Sequence, residues 1–99
     1  MVFEIVIKHN DKPDKKYMAI IDNKKTIHFG AKNYSDYTMH HDDERKQRYL
    51  QRHKHDHYTN PLYASFYSTN LLWNKSSISE SIKDTNDRFK NINVKNKII

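Results

Sequence analysis

The sequence predicts an α+β fold in which a three-stranded antiparallel β-meander is followed by two or three helices that pack on it. Two observations predict this fold. Near the N-terminus, three short segments alternate apolar and polar residues and are joined by turns rich in Asn and Asp. In the second half of the chain, apolar residues recur at helical spacing behind residues that favour helix N-termini.

The three strands are expected over residues 2–8, 17–22 and 26–29. In the first of them, Phe3, Ile5 and Ile7 would lie on one face of an extended chain. The third ends at Gly30, the only glycine of the chain. Because the connections are short, consecutive strands are expected to pair antiparallel, and one face of the sheet then needs a helical cover.

The helices are expected over residues 42–54, 62–73 and 78–92. Asp42 can cap the first helix, and Ser77 with Glu80 forms a capping box at the start of the last one. Ile82 and Phe89 then continue the helical spacing. The tyrosine and phenylalanine content of the middle segment would also suit a strand, so that assignment stays open.

The composition sets limits on the class of protein. The 99 residues make one domain, assigned to residues 1–92, with a flexible C-terminal tail over residues 93–99. A chain this short and polar has a thin core, which favours a homodimer. The absence of cysteine excludes disulfide frameworks and thiolate zinc sites, and a single glycine excludes glycine-rich phosphate loops.

The expected location is inside a cell and away from membranes. No apolar run approaches the roughly 20 residues that a transmembrane helix needs. The N-terminus also lacks the apolar core of a signal peptide, so a secreted protein is not expected.

The formal net charge of +6 indicates an anionic partner, and nucleic acid is the commonest large one. The excess is spread along the chain, however, and an A/T-rich genome would raise the lysine content without any selection for binding. Charge alone therefore does not decide the function.

The clustering of arginine is a more specific signal. Three of the four arginines, Arg45, Arg48 and Arg52, fall in the helix expected over residues 42–54, within an arc of about 60°. Guanidinium groups present planar donor forks that suit phosphate oxygens. The alternative is that these arginines pair with carboxylates of this chain or of a neighbouring subunit. The predicted nucleic-acid-binding residues are Arg45, Lys46, Arg48, Arg52, His53 and Lys54.

Five of the seven histidines lie between His40 and His57, mixed with acidic residues. Imidazoles that share a face can hold Zn²⁺, Ni²⁺ or Cu²⁺. Adventitious binding is the preferred interpretation, because the segment continues as a loop after a helix, so no metal or other cofactor is expected. The weak candidate ligands are His41, Asp42, His53 and His57.

Several short motifs resemble one family. They are HFG at residues 28–30, YxDYT at 34–38, HDxxRKxxYxxRH at 41–53 and LWN at 72–74. Together they resemble a family of small proteins of unknown function encoded by giant and other nucleocytoplasmic large DNA viruses. The chain departs from that family around residues 59–70, where relatives carry Gly-Phe-Trp and this chain reads Ala64-Ser65-Phe66-Tyr67.

The resemblance implies a viral protein that works in the cytoplasm or nucleus of an infected host cell. It also implies an association with DNA and no established enzymatic activity. The implied site residues are those that match the motif, namely His41, Asp42, Arg45, Lys46, Tyr49, Arg52 and His53.

The function expected from the sequence is sequence-independent binding of double-stranded DNA by a homodimer, through the arginine-rich helix. One alternative is a protein-interaction module whose arginines hold an acidic host or viral partner. A lesser alternative is a metal-dependent nuclease built on His41, Asp42 and Arg45, although no known nuclease spacing is present. No catalytic residue is assigned.

Overall fold

The computed structural model of the chain describes residues 2–10 and 13–98. Within those residues the chain forms a four-stranded mixed sheet and four α-helices. The strands are β1 (Phe3–His9), β2 (Lys15–Ile21), β3 (Lys25–Ala31) and β4 (Ile92–Asn96). The helices are α1 (Tyr37–His40), α2 (Asp43–Arg52), α3 (Ala64–Tyr67), which continues as a π-helix over Ser68–Leu72, and α4 (Ile78–Arg88).

The predicted antiparallel meander of β1, β2 and β3 is present, but it is not the whole sheet. The strand order in the described residues is β3-β2-β1-β4, and β4 runs parallel to β1 with Val94 opposite Ile5. The prediction of three strands is therefore corrected. Residues 93–96, which the sequence assigned to a C-terminal tail, belong to β4, while Ile99 lies outside the described residues.

The reason that β4 forms is a short alternating pattern. Ile92 and Val94 are 6% and 4% exposed, whereas Asn93 between them is exposed. Their side chains therefore join the core face of the sheet, and their backbone pairs with a β1 edge that the meander leaves open.

The core lies between one face of the sheet and the helices α3 and α4. Ile5 and Ile7 of β1, which were predicted to share a face, are both fully buried. Phe29 of β3 stacks on Tyr67 of α3, with ring centroids 5.3 Å apart. Residues 64–72 are helical, which decides the open assignment of residues 62–73 in favour of a helix. Leu62 is exposed and lies outside this helix.

The turn between β2 and β3 uses residues that tolerate a left-handed backbone. Asp22 and Asn23 have φ values of 52° and 57°, a region that Asp and Asn enter more readily than most residues. The predicted turn rich in Asn and Asp is confirmed. The strand β2 begins at Lys15 and ends at Ile21, one residue before its predicted end. The strand β3 continues past Gly30 to Ala31, so the prediction that Gly30 ends the third strand is corrected.

The helix α4 begins as predicted and ends earlier. Ser77 Oγ accepts a hydrogen bond from the Glu80 backbone N–H at 3.2 Å, which confirms the N-cap. Phe89 already has an extended backbone, with φ −111° and ψ 110°. The Asn86 side chain donates to the Val94 carbonyl at 3.0 Å and accepts from the Val94 N–H at 2.8 Å, and this pair of bonds joins the helix to β4.

Hydrogen bonds hold the pKa of the Asp84 carboxyl on α4 below its ordinary value of about 3.8. The main cause is the bond from Asn74 Nδ2 at 2.7 Å, and Arg88 Nε adds a second at 2.8 Å. Because the folded-state pKa is lowered, the stabilisation is present above pH 3.8 and is lost as the pH falls through the folded-state pKa. We expect the free energy of unfolding of the Asp84→Asn variant to fall less steeply with decreasing pH below about pH 4. Urea denaturation across a pH series measures this dependence.

The matched control is Asp87→Asn on the same helix. Asp87 is exposed, and it takes part in none of the ion pairs of the described residues. An equal flattening by the two substitutions would show that the effect comes from net charge and contradict a specific role for Asp84.

Candidate anion-binding groove

A groove of about 1060 Å³ separates α2 from the edge strand β3. The arginine face of α2 forms one wall, and β3 with the start of β2 forms the other. The third side comes from α3 and the π-helix. The groove is lined by Gly30 of β3, by the cations Lys15, Lys16, Arg45, Arg48 and Arg52, and by the acids Asp36 and Glu44.

The N-terminus of α2 is fixed by a side-chain cap, which sets the direction in which the arginines of the helix point. Asp42 Oδ1 accepts hydrogen bonds from the N–H groups of Glu44 at 3.0 Å and Arg45 at 3.2 Å, which confirms the predicted N-cap. From there a rotation of about 100° per residue brings Arg48 and Arg52 to the side occupied by Arg45. All three arginines border the groove.

The three guanidinium groups are only loosely engaged. Arg45 Nη2 donates to Ser35 Oγ at 3.1 Å. Arg48 pairs with Glu44 at 2.9 Å, but the two side chains are 61% and 82% exposed, so the pair stabilises the fold little. Arg52 is exposed and takes part in none of the ion pairs within residues 2–10 and 13–98. Most of the donors therefore stay available to a ligand.

The opposite wall adds cationic side chains and one buried acid. Lys16 Nζ donates to Asp36 Oδ2 at 2.6 Å, and their side chains are only 13% and 4% exposed. Asp36 also caps α1 by accepting from the Thr38 N–H at 3.0 Å. Lys15 lines the groove beside this pair. Since Asp36 and Glu44 are both paired, the lining presents an excess of positive charge.

Close packing on the third side fixes the position of both walls. Gly30 has φ +78°, and a Cβ on it would lie 3.0 Å from Leu72 Cδ1, so this position in β3 requires glycine. The next residue, Trp73, stacks on Tyr49 of α2 with ring centroids 4.3 Å apart and planes 3° apart. Burial raises the pKa of Tyr49 above its ordinary value.

The other predicted nucleic-acid-binding residues do not line the groove. Lys46 Nζ donates to a backbone carbonyl at 2.6 Å and lies 4.8 Å from the ring centroid of Tyr37. His53 Nδ1 lies 2.6 Å from a carboxylate oxygen of Asp56. Lys54 is exposed beyond the end of α2. The structure thus brings together Arg45, Arg48 and Arg52 and leaves Lys46, His53 and Lys54 outside.

The weak metal candidates have separate partners. His41 Nε2 lies 3.2 Å and 3.0 Å from two backbone carbonyls, and Asp42 caps α2. His57 stacks on Tyr63 with ring centroids 4.1 Å apart, and His53 pairs with its own acid. Among residues 2–10 and 13–98, no three His, Cys, Asp or Glu side chains form a group that could hold a metal ion. The structure therefore does not bring these four residues together as one group of possible metal ligands.

Sequence reasoning misses the second wall of the groove. Lys15 is one lysine among many and carries no signal of its own. Ser35, which holds Arg45, is equally unmarked. Gly30 has a signal, because it is the only glycine, but its contact with Leu72 depends on tertiary packing.

Residues 5–53 match the model of a family of unknown function (DUF5754). The matched stretch includes most of β1, the strands β2 and β3, and the helices α1 and α2, so it contains both walls of the groove. No curated protein and no solved structure matches the chain. In the described part of the chain, every helix is too short or too polar to cross a membrane.

Proposed function

We propose that the chain binds double-stranded DNA without sequence preference, through contacts between the arginine face of α2 and the phosphates. One observation carries the proposal. Arg45, Arg48 and Arg52 lie on one side of one helix, and together with Lys15 they border one groove.

The chemistry of these side chains supports phosphate as the ligand. A guanidinium group can donate two parallel hydrogen bonds to phosphate oxygens. Arg45 gives up only a hydroxyl contact, and Arg48 gives up only an exposed ion pair, so binding disturbs little of the fold. Phosphate contacts carry no sequence information. Gln47 and Gln51 also border the groove and are the side chains through which a base preference would arise.

A homodimer belongs to the same proposal, because two arginine faces would lengthen the footprint on DNA and add to the number of phosphates neutralised. Action in an infected host cell follows from the resemblance to the viral family alone.

The double substitution Arg48→Ala with Arg52→Ala tests the proposal. We expect it to weaken binding to random-sequence duplex DNA by about tenfold or more at about 50 mM salt. We also expect the slope of log affinity against log salt to become shallower by about 2, because two phosphate contacts are lost. The measurement is fluorescence anisotropy of labelled duplex at several salt concentrations, with circular dichroism to check folding.

The matched control is Lys83→Ala with Lys90→Ala, which removes the same charge from exposed positions outside the groove. Its salt slope should equal that of the unchanged protein. Equal losses in both double variants would mean that bulk charge, not α2, holds the DNA. Failure of the unchanged protein to bind at about 100 mM salt would refute DNA binding by this surface.

A further inference from the structure

The strand β3 lies at the edge of the sheet, and no described strand pairs with its outer side. In the strand order it has one neighbour, β2. Beyond that pairing, the backbone bonds of the described residues reach β3 only at its last residue, where the Ala31 carbonyl accepts from the Tyr34 N–H at 3.2 Å. In an antiparallel edge strand, alternate residues direct their N–H and C=O groups away from the sheet. Those groups can pair with another chain.

The groove places positive charge along this edge. Residues 28–31 of β3 line one side, and the three arginines of α2 line the other. The lining also contains Lys15, while the acids Asp36 and Glu44 are already paired. An extended chain that lay along β3 would therefore lie in the groove beside the guanidinium groups of α2.

We propose that an extended acidic segment of a partner protein adds to β3 as a further strand of the sheet. Its main chain would bond to the open edge, as in β-strand addition. Side chains of a strand alternate, so Asp or Glu at every second position would face α2, where Arg45, Arg48 and Arg52 can pair with carboxylates. The seven residues of β3 span roughly 23 Å, so about eight partner residues suffice.

This inference goes beyond DNA binding and does not depend on it. If the proposed function also holds, the acidic segment and the DNA use the same three arginines and exclude each other. The partner protein would then displace DNA, because its acidic segment occupies the arginines that hold the phosphates.

The probe is a fluorescent eight-residue peptide of alternating Glu and Val. Two further versions carry backbone N-methyl groups, one at the odd positions and the other at the even positions. All three have the same charge, but only one methylated set directs its blocked amides at β3. We expect that version to bind about tenfold or more weakly than the other, because it loses its main-chain hydrogen bonds. Equal affinity of the two methylated peptides would show simple charge attraction and overturn the proposal.

Amide hydrogen exchange followed by NMR gives the second readout. Alternate amides of β3 should exchange more slowly with the parent peptide bound. The double substitution Arg45→Ala with Arg52→Ala should lower the affinity for the peptide, whereas Lys83→Ala with Lys90→Ala should leave it unchanged. A parent peptide that does not bind overturns the proposal, whether or not duplex DNA binds in the same preparation. If an unpaired oligothymidine protects the β3 amides and the peptide does not, the groove holds a nucleic-acid strand instead.

Discussion

Asp36→Ala is expected to lower the free energy of unfolding by about 3–5 kcal/mol, because it leaves a buried cation without its partner. Asp36 is 3% exposed, and Lys16 Nζ lies 2.6 Å from its carboxylate. Alanine would leave that ammonium group desolvated and unpaired. It would also remove the cap of α1, since Asp36 accepts from the Thr38 N–H. Urea denaturation followed by far-UV circular dichroism measures the loss.

Two comparisons separate this mechanism from a general effect of substitution. Lys16→Met should cost less, because the Asp36 carboxylate keeps its hydrogen bonds to Thr38. Adding Lys16→Met to Asp36→Ala should restore part of the loss, since no orphaned charge then remains. Asp14→Ala, at an exposed position, should change stability by no more than about 0.5 kcal/mol. A similarly small effect of Asp36→Ala would contradict a buried pair.

The pair also matters for the groove. Lys16 lies in β2, and Asp36 ends the loop that leads from β3 into α1 and α2. The bond between them therefore ties the strand wall to the segment that carries the arginine wall. We infer that the distance between the walls depends on this buried ion pair.

The meander and α2 are predictable from the sequence because their signals are local. Alternation marks Ile5 and Ile7, and Asp42 marks the start of α2 by its own chemistry. The strand β4 is different, since it pairs with β1 from the opposite end of the chain. A pattern of two buried residues, Ile92 and Val94, is too short to predict such a partner.

The site is predictable in part, for the same reason. The rotation per residue in a helix places Arg45, Arg48 and Arg52 on one side, and the structure keeps them there. This rotation does not show which neighbouring elements pack against the other sides of the helix. Lys46 therefore meets Tyr37 and a backbone carbonyl, which sequence spacing alone does not reveal.

The helix α1 and the π-helix could not be predicted either. The four residues of α1 are fewer than periodicity requires, and only the cap at Asp36 marks them. The π-helix breaks the period of 3.6 residues on which a helical prediction rests. Asn70 lies in this π-helix and is only 3% exposed although it is polar.

Asn70→Asp is expected to lower the free energy of unfolding by about 2–5 kcal/mol. Asn70 is 3% exposed, and its Nδ2 donates to the carbonyls of Tyr58 at 2.7 Å and Phe66 at 2.9 Å. An aspartate has no N–H to offer, so both carbonyls lose their donor and face an oxygen instead. Each such buried loss costs about 1–3 kcal/mol. Urea denaturation at neutral pH measures the effect.

The control is Asn33→Asp, which adds the same negative charge at an exposed turn and should change stability by no more than about 0.5 kcal/mol. The opposing effect is attraction to Arg88, whose Nη2 donates to Asn70 Oδ1 at 2.8 Å. A net gain in stability would show that this attraction outweighs the lost hydrogen bonds. If the lost bonds dominate, adding Arg88→Ala to Asn70→Asp should cost more than the two single losses combined, because the new carboxylate is then buried without any cation.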